Sequence, residues 1–220
     1  MKPFINIHTH HFVSGQLAII NSSNKSLLVD DVHYSYGIHP WNIGSTNIET
    51  ELENLENFCS ENKLLAIGEI GLDRAIQTSI DTQKEVFIEQ LEIANRYCLP
   101  VIIHCVKAWS DILSVRKKGK YATPWIIHGY TGNLQTAEQL VKSGCYLSFG
   151  SKLLNNQSVQ LNFKLLPIND IFLETDDSDA KIEEIYTKAA ELYDICTDEL
   201  KTKIYQNFTK VFGTQWVQNG

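Results

Sequence analysis

Apolar residues along this chain gather in short runs with little polar alternation: Phe4-Ile5-Asn6-Ile7, Leu64-Leu65-Ala66-Ile67, Val101-Ile102-Ile103, Trp125-Ile126-Ile127 and Ile171-Phe172-Leu173. Runs of β-branched and aliphatic residues of this kind predict strands buried on both faces, as in a parallel sheet. Between them the period changes to that of amphipathic helices. A capping box, Thr46-Asn47-Ile48-Glu49, predicts a helix with Leu52, Leu55 and Phe58 on its inner stripe. A second box, Thr82-Gln83-Lys84-Glu85, predicts a helix through Leu91, Ala94 and Cys98 that ends at Leu99-Pro100, since proline drives the preceding residue out of the helical region. Further helices are predicted around Trp109 to Lys117, Leu134 to Lys142 with Gly144 as the stop, and Ser158 to Leu165 after a strand Tyr146 to Phe149. Two more follow Asp176, one carrying Ile182, Ile185, Tyr186, Ala189 and Tyr193, the other starting near Asp198 with Leu200, Ile204, Phe208 and Phe212.

The opening segment breaks this rhythm. Only six residues separate His10 from Leu17, whereas a parallel crossover takes roughly a dozen or more. The stretch Leu17 to Ile20, a polar turn and Ser26 to Val29 are therefore expected to form an antiparallel hairpin. Tyr34 to Ile38 then resumes the sheet, with His39 at its end. The expected fold is α/β, a (β/α) TIM-type barrel, shortened or distorted in its first quarter with a hairpin in place of the first helices. Without internal repeats, low-complexity segments or charge tails, residues 1–220 read as a single domain.

Each of the five runs leads into a residue of metal-binding type: His8-Thr9-His10, Gly68-Glu69, His104, His128 and Glu174-Thr175-Asp176. Strand ends at the carboxyl face are where a (β/α) barrel assembles its active site. His8 and His10, two apart on a strand, share a face. The set suits two divalent ions: His8, His10 and Asp176 on one, His104 and His128 on the other, Glu69 between them. Imidazole with carboxylate favours zinc, manganese, iron or nickel, with magnesium admitted. Two ions about 4 Å apart acidify a water and offset charge on a reacting group. The alternative, buried histidines and capping acids satisfied by backbone, has to hold five times over.

The formal net charge is -7 and the sequence pI near 5.5, which argues against a protein that coats nucleic acid through a basic face. A polyanionic substrate has to be held locally. Five scattered cysteines, with no Cys-x-x-Cys pair, suggest reduced thiols and a cytoplasmic location. No apolar stretch has membrane-spanning length, and the first strand begins too early for a secretory leader. No obligate protein partner is readable.

Six stretches resemble the TatD family of metal-dependent hydrolases, among the amidohydrolase-like barrel enzymes: Ile7-His8-Thr9-His10, Tyr36-Gly37-Ile38-His39-Pro40, Ala66 to Asp73 (AIGEIGLD), Pro100 to Cys105 (PVIIHC), Ile127 to Gly132 (IHGYTG) and Phe172 to Asp176 (FLETD). Asn207-Phe208-Thr209-Lys210-Val211-Phe212 is similar to the family's closing signature. The resemblance implies a barrel with one or two metals and, for several members, deoxyribonuclease activity, commonly as a 3'-to-5' exonuclease. There are three departures. No room is left for a helix between the first two strands, Val106 then Lys107 stand where an arginine often follows His-Cys, and the loop after Asp176 is short.

The expected function is a metal-dependent hydrolase, a deoxyribonuclease or phosphodiesterase using a metal-activated water, acting on DNA ends or short oligonucleotides. Alternatives are a small phosphoester, amide or lactone as substrate, or a metal-binding module without turnover. Asp176 is expected as the proton acceptor, with Glu69 and His39 also catalytic and His39 facing substrate or the activated water. Glu174 and Asp73 are expected to orient ligands from behind. Lys107, Arg74 and Lys152 are placed to meet phosphate. Trp41 and Trp109 are candidates for base stacking, with core packing as the rival reading. The run Arg116-Lys117-Lys118-Gly119-Lys120 reads as a solvated helix end.

Overall fold

The protein is described here by a computed structural model covering residues 2–12, 14–22 and 32–215. In chain order its elements are β1 (Phe4–Thr9), β2 (Gln16–Asn21), β3 (His33–Tyr36), α1 (Ile48–Ser60), β4 (Ala66–Asp73), α2 (Ile80–Tyr97), β5 (Val101–Val106), α3 (Trp109–Lys118), β6 (Trp125–Ile127), α4 (Leu134–Lys142), β7 (Cys145–Phe149), α5 (Lys152–Asn155), α6 (Gln157–Leu165), β8 (Ile171–Leu173), α7 (Ile182–Tyr193) and α8 (Thr197–Phe212). This is the (β/α) TIM-type fold that the apolar runs predict. Contacts divide the chain into two compact units, one of Met1–Ile20 with His128–Gly220, the other Asn21–Ile127.

In the second unit β3, β4, β5 and β6 pair in succession, all parallel, with Tyr36 opposite Ile67, Gly71 opposite His104 and Ile103 opposite Ile127. Every residue of β4 is buried, which is why its sequence shows no polar alternation. Helix α2 packs on β4 and buries Val86, Phe87, Leu91, Ile93 and Ala94. In the first unit β1 pairs with β2, β7 pairs with β8, and Thr9 forms a parallel bridge to Asp176. Helix α8 lies against β1 and β8. The Tyr186 hydroxyl donates to the Ile5 carbonyl at 3.0 Å and accepts from the Ile5 N–H at 3.1 Å, so α7 holds β1 by its backbone.

Four expectations are corrected. Residues Leu17 to Ile20 do not pair antiparallel with a neighbour; β2 runs parallel to β1, with Phe4 opposite Gln16 and Ile5 opposite Leu17. The return link has only to cover the length of one strand, roughly 20 Å at about 3.3 Å per residue, and a short extended segment reaches that far without a helix. The other half of the expected hairpin, Ser26 to Val29, lies outside the described residues.

Second, the caps shift. Asn47 rather than Thr46 caps α1, accepting from the Thr50 N–H at 3.0 Å, and Ser79 rather than Thr82 caps α2, accepting from the Thr82 N–H at 3.2 Å. The earlier start of α2 puts Asp81 in the first turn, where the helix dipole favours it. Third, β3 ends at Tyr36, short of His39. That residue is held extended before Pro40 and caps the short 3-10 turn Pro40–Asn42. Fourth, Glu69 and His104 lie inside β4 and β5 rather than beyond their ends.

Candidate metal centre

The first unit gathers His8, His10, His128 and Asp176. His8 comes from β1 and is fully buried; His10 follows β1, His128 follows β6, and Asp176 follows β8. The His8 and His10 Nε2 atoms each lie 3.4 Å from Asp176 Oδ1, as the shared face of an alternating pair requires. The His8 and His128 rings are 4.5 Å apart, and ligand atoms of His8, His128 and Asp176 fall within 4.8 Å of one another.

Backbone ties fix this placement. Asp176 N–H donates to the His8 carbonyl at 3.0 Å, and His10 N–H donates to the Asp176 carbonyl at 3.2 Å. One residue earlier, Asn6 and Thr175 bond reciprocally, with Asn6 Nδ2 to Thr175 Oγ1 at 2.9 Å and Thr175 N–H to Asn6 Oδ1 at 3.0 Å. Asp176 has φ 54, a left-handed conformation that aspartate tolerates better than most residues. Burial works to raise the Asp176 pKa. Hydrogen bonds from His10 and His8, with the charges of His8 and His128, overcome it and hold the carboxyl well below the usual range. It is a carboxylate at any working pH.

Glu174 is fully buried behind this group. Its Oε1 accepts from the Gly129 N–H at 2.7 Å and lies 3.4 Å from His128 Nδ1, the position of a brace for that ring. Its Oε2 is buried without a hydrogen-bond partner among the described residues.

The second unit gathers His39, Glu69 and His104, again within 4.8 Å of one another. Glu69 Oε1 lies 2.8 Å from His104 Nδ1 and 3.3 Å from His39 Nε2, and the two rings are 4.4 Å apart. Asn21 Oδ1 accepts from the Glu69 N–H at 3.0 Å. His104 Nε2 is 3.4 Å from Asp73 Oδ2, so carboxylates flank both of its nitrogens. Burial works to raise the Asp73 pKa, while hydrogen bonds from Trp41, the Ala75 backbone and His104 bring it below the usual value.

Both groups fit a divalent ion by their donor chemistry. Three nitrogen and oxygen donors converge in each, the combination that borderline cations prefer. A neutral imidazole carries one N–H, so in that form His104 can donate to only one of Glu69 and Asp73, and its other nitrogen is an acceptor suited to a cation. The Oε2 of Glu174, buried without a hydrogen-bond partner among the described residues, is a further acceptor that a cation or a water would satisfy. The expected trio of His8, His10 and Asp176 is brought together; in addition His128 offers a ligand atom beside His8 and Asp176, and His39 offers one beside Glu69 and His104.

Sequence reasoning missed the side chains that brace the second group. Gln83 and Gln90 are both buried in α2, two turns apart on one face. Gln90 Oε1 accepts from the Ile38 N–H at 2.6 Å and its Nε2 donates to the Ile38 carbonyl at 3.2 Å. Gln83 does the same for Asp73, at 2.7 and 2.9 Å. The available signal was two amides inside an apolar helical stripe.

The remaining candidates are more exposed. Lys107 is exposed directly after β5, at φ 53, and Lys152 is exposed in the first turn of α5. Arg74 is engaged: its guanidinium makes two 2.8 Å contacts to Asp111 Oδ2, and Lys84 Nζ lies 2.7 Å from Asp111 Oδ1. Arg74 also lines a cleft of about 200 Å³ with Asp73, Thr78, Ser79 and Gln83. Trp109 is half-buried and opens α3. Arg116, Lys117 and Lys118 occupy the last turn of α3. Trp41 is 63% exposed, which rules out core packing for it.

The family model described as TatD related DNase matches residues 5–213. The chain belongs to the TatD family. Among its relatives, the uncharacterized metal-dependent hydrolase YabD of Bacillus subtilis is 28% identical over 200 residues, covering 83% of this chain and 78% of YabD. The metal-dependent hydrolase YcfH of Escherichia coli K12 is 26% identical, covering 83% of this chain and 74% of YcfH. Among solved structures, the TatD homolog YjjV of Escherichia coli superposes with a TM-score of 0.86 at 22% identity, over 96% of this chain and 98% of YjjV. The TatD family is one of metal-dependent hydrolases, and this chain is such a hydrolase. Among the described residues no helix is long and apolar enough to cross a membrane.

Proposed function

We propose that this TatD family hydrolase cleaves phosphodiester bonds in DNA, acting on single-stranded ends or short oligonucleotides. The observation that carries the reading is the pair of ligand sets, His8/His128/Asp176 with His10 beside them, and His39/Glu69/His104. Divalent ions held there would supply Lewis acidity, lowering the pKa of water and offsetting phosphate charge. Asp176, ionised in the resting protein, takes the proton of the attacking water. Glu174 braces His128 and Asp73 orients His104. Lys107 meets the phosphate as a point charge, without the bidentate fork of an arginine. Arg74 is already committed to Asp111, and the chain carries a net charge of -7. Grip along a long duplex is therefore weak, and ends that reach the ligand sets directly are preferred. The five free cysteines accord with work in a reducing cytoplasm.

The test starts from protein stripped by chelator, checked by elemental analysis and reconstituted with zinc or manganese. End-labelled single-stranded and duplex oligonucleotides are assayed at several salt concentrations beside a small phosphoester and a lactone. Metal-dependent cleavage, faster on single-stranded ends, is expected. Full activity without metal removes the metal reading. Turnover of the small phosphoester or lactone with no cleavage of either DNA removes the nuclease reading.

A further inference from the structure

Among the described residues four large apolar side chains are markedly exposed: Phe12, Trp41, Leu161 and Leu165. Trp41 alone among them is anchored to a ligand group. It sits in the 3-10 turn after β3, and its indole Nε1 donates to Asp73 Oδ2 at 2.7 Å. Its ring meets the His39 ring at 4.9 Å and 86°, and the His104 ring at 5.9 Å and 76°. Its backbone N–H donates to His39 Nδ1 at 3.2 Å. Asp73 is fixed in turn, Oδ1 by the Ala75 N–H at 2.7 Å and its backbone by Gln83. The indole is thus held at its polar edge, rigid, with most of its surface open to solvent.

A donor for Asp73 does not need an indole, and a tryptophan held in water forgoes the apolar burial that ordinarily justifies its size. Preorganisation explains both facts: a ring already fixed in place loses little freedom when a planar group stacks on it. From this we infer that Trp41 is the stacking platform for the terminal nucleobase of the strand being cleaved, beside the His39/Glu69/His104 group. The inference rests on the nuclease reading. It makes the base, as well as the phosphate, a determinant of the substrate.

Two measurements test it. In the first, oligonucleotides that carry a base or an abasic deoxyribose at the attacked end are cleaved by the wild type, Trp41→Phe and Trp41→Leu. Stacking of one base predicts a wild-type preference for the base of roughly 5- to 150-fold in kcat/KM, carried mainly by KM. Trp41→Phe keeps an aromatic face and most of that ratio, even where loss of the Nε1 donor lowers absolute rates. Trp41→Leu keeps apolar bulk without the face, and its ratio falls to about one. In the second, deoxyadenosine monophosphate is titrated against tryptophan fluorescence, with deoxyribose 5-phosphate as control. Quenching by the nucleotide alone is expected, and it should be lost in Trp41→Leu. Cleavage with an equal base-to-abasic ratio in wild type and Trp41→Leu overturns the platform and leaves the nuclease reading standing. If no oligonucleotide is cleaved, the nuclease reading fails by itself, and the platform with it as a site for a cleaved strand; the titration then decides whether Trp41 stacks a nucleobase at all, Trp41-dependent quenching supporting it and its absence overturning it.

Discussion

Gly71→Ala is the sharpest single perturbation of the strand that carries Glu69. Gly71 sits at φ 150, and a Cβ built on it overlaps the His104 carbonyl oxygen and lies 2.9 Å from the His104 carbonyl carbon. Both partners are backbone, in a register where Gly71 faces His104 across β4 and β5, so no side chain can swing away. The conformation costs an alanine about 1–3 kcal/mol, and the overlap in a fully packed layer about 1–3 kcal/mol more. A total near 4 kcal/mol corresponds to a fall in Tm of about 8–16 °C for a chain of this length. The strands have to separate locally, which moves His104 away from Glu69. Calorimetry and elemental analysis on purified variant and wild type read both effects, and reduced metal content at 25 °C is expected alongside the lower Tm. An alanine variant that melts within about 2 °C of wild type with full metal content would refute the close-approach argument.

Asp176→Asn removes a proton acceptor and a negative ligand at similar size, so turnover should fall by roughly 100-fold or more with the circular dichroism spectrum unchanged; Glu69→Gln should in addition lower metal stoichiometry. Wild-type rates in both variants would sink the assigned roles. Tyr186→Phe leaves the Ile5 N–H and carbonyl without their buried partner and should cost about 2–4 kcal/mol in urea unfolding; a loss below about 0.5 kcal/mol would contradict the clamp. Asp111 has a folded pKa held below the ordinary carboxylate value, chiefly by the Arg74 hydrogen bond and then by Lys84. Its contribution to stability is therefore present in full above about pH 4 and is lost as pH falls through the lowered folded value. The Tm gap between wild type and Asp111→Asn should be open at pH 7 and close toward pH 2, and a gap independent of pH would contradict the pairing.

The sheet was legible because strands buried on both faces carry apolar runs without polar alternation, as β6 does throughout and as β5 does in Val101 to Ile103. Helices α3, α4 and α7 were legible from their periodicity. Local competition hid the caps: the capping-box spacing pointed to Thr46 and Thr82, while the observed caps, Asn47 and Ser79, follow the stronger intrinsic preference for Asn and Ser over Thr. The parallel course of β2 was hidden by a length rule drawn from crossovers that contain helices. The trio of His8, His10 and Asp176 could be read in advance, but the ligand atoms that His128 and His39 add to their groups could not, because which rings meet depends on strand register and side-chain direction. Gln83 and Gln90 went unread since an amide in an apolar stripe shows its purpose only when the backbone it clasps, at Ile38 and Asp73, is known.

The tie between β1 and the end of the chain has a bearing on synthesis. His8 and Ile5 are translated well before their partners Asp176 and Tyr186, which come 168 and 181 residues later. At about 5 to 20 residues per second, the N-terminal strand waits roughly 10 to 30 s before the residues that complete its ligand set leave the ribosome. Throughout that interval Ile5, Ile7 and the His8 imidazole have no α7 or α8 to cover them, which makes the growing chain a natural client for holding chaperones. Any ion held by His8, His128 and Asp176 would consequently be captured only late in synthesis. A polypeptide released before Asp176 carries the histidines without the carboxylate, so occupancy of this set marks a chain whose synthesis has passed that residue.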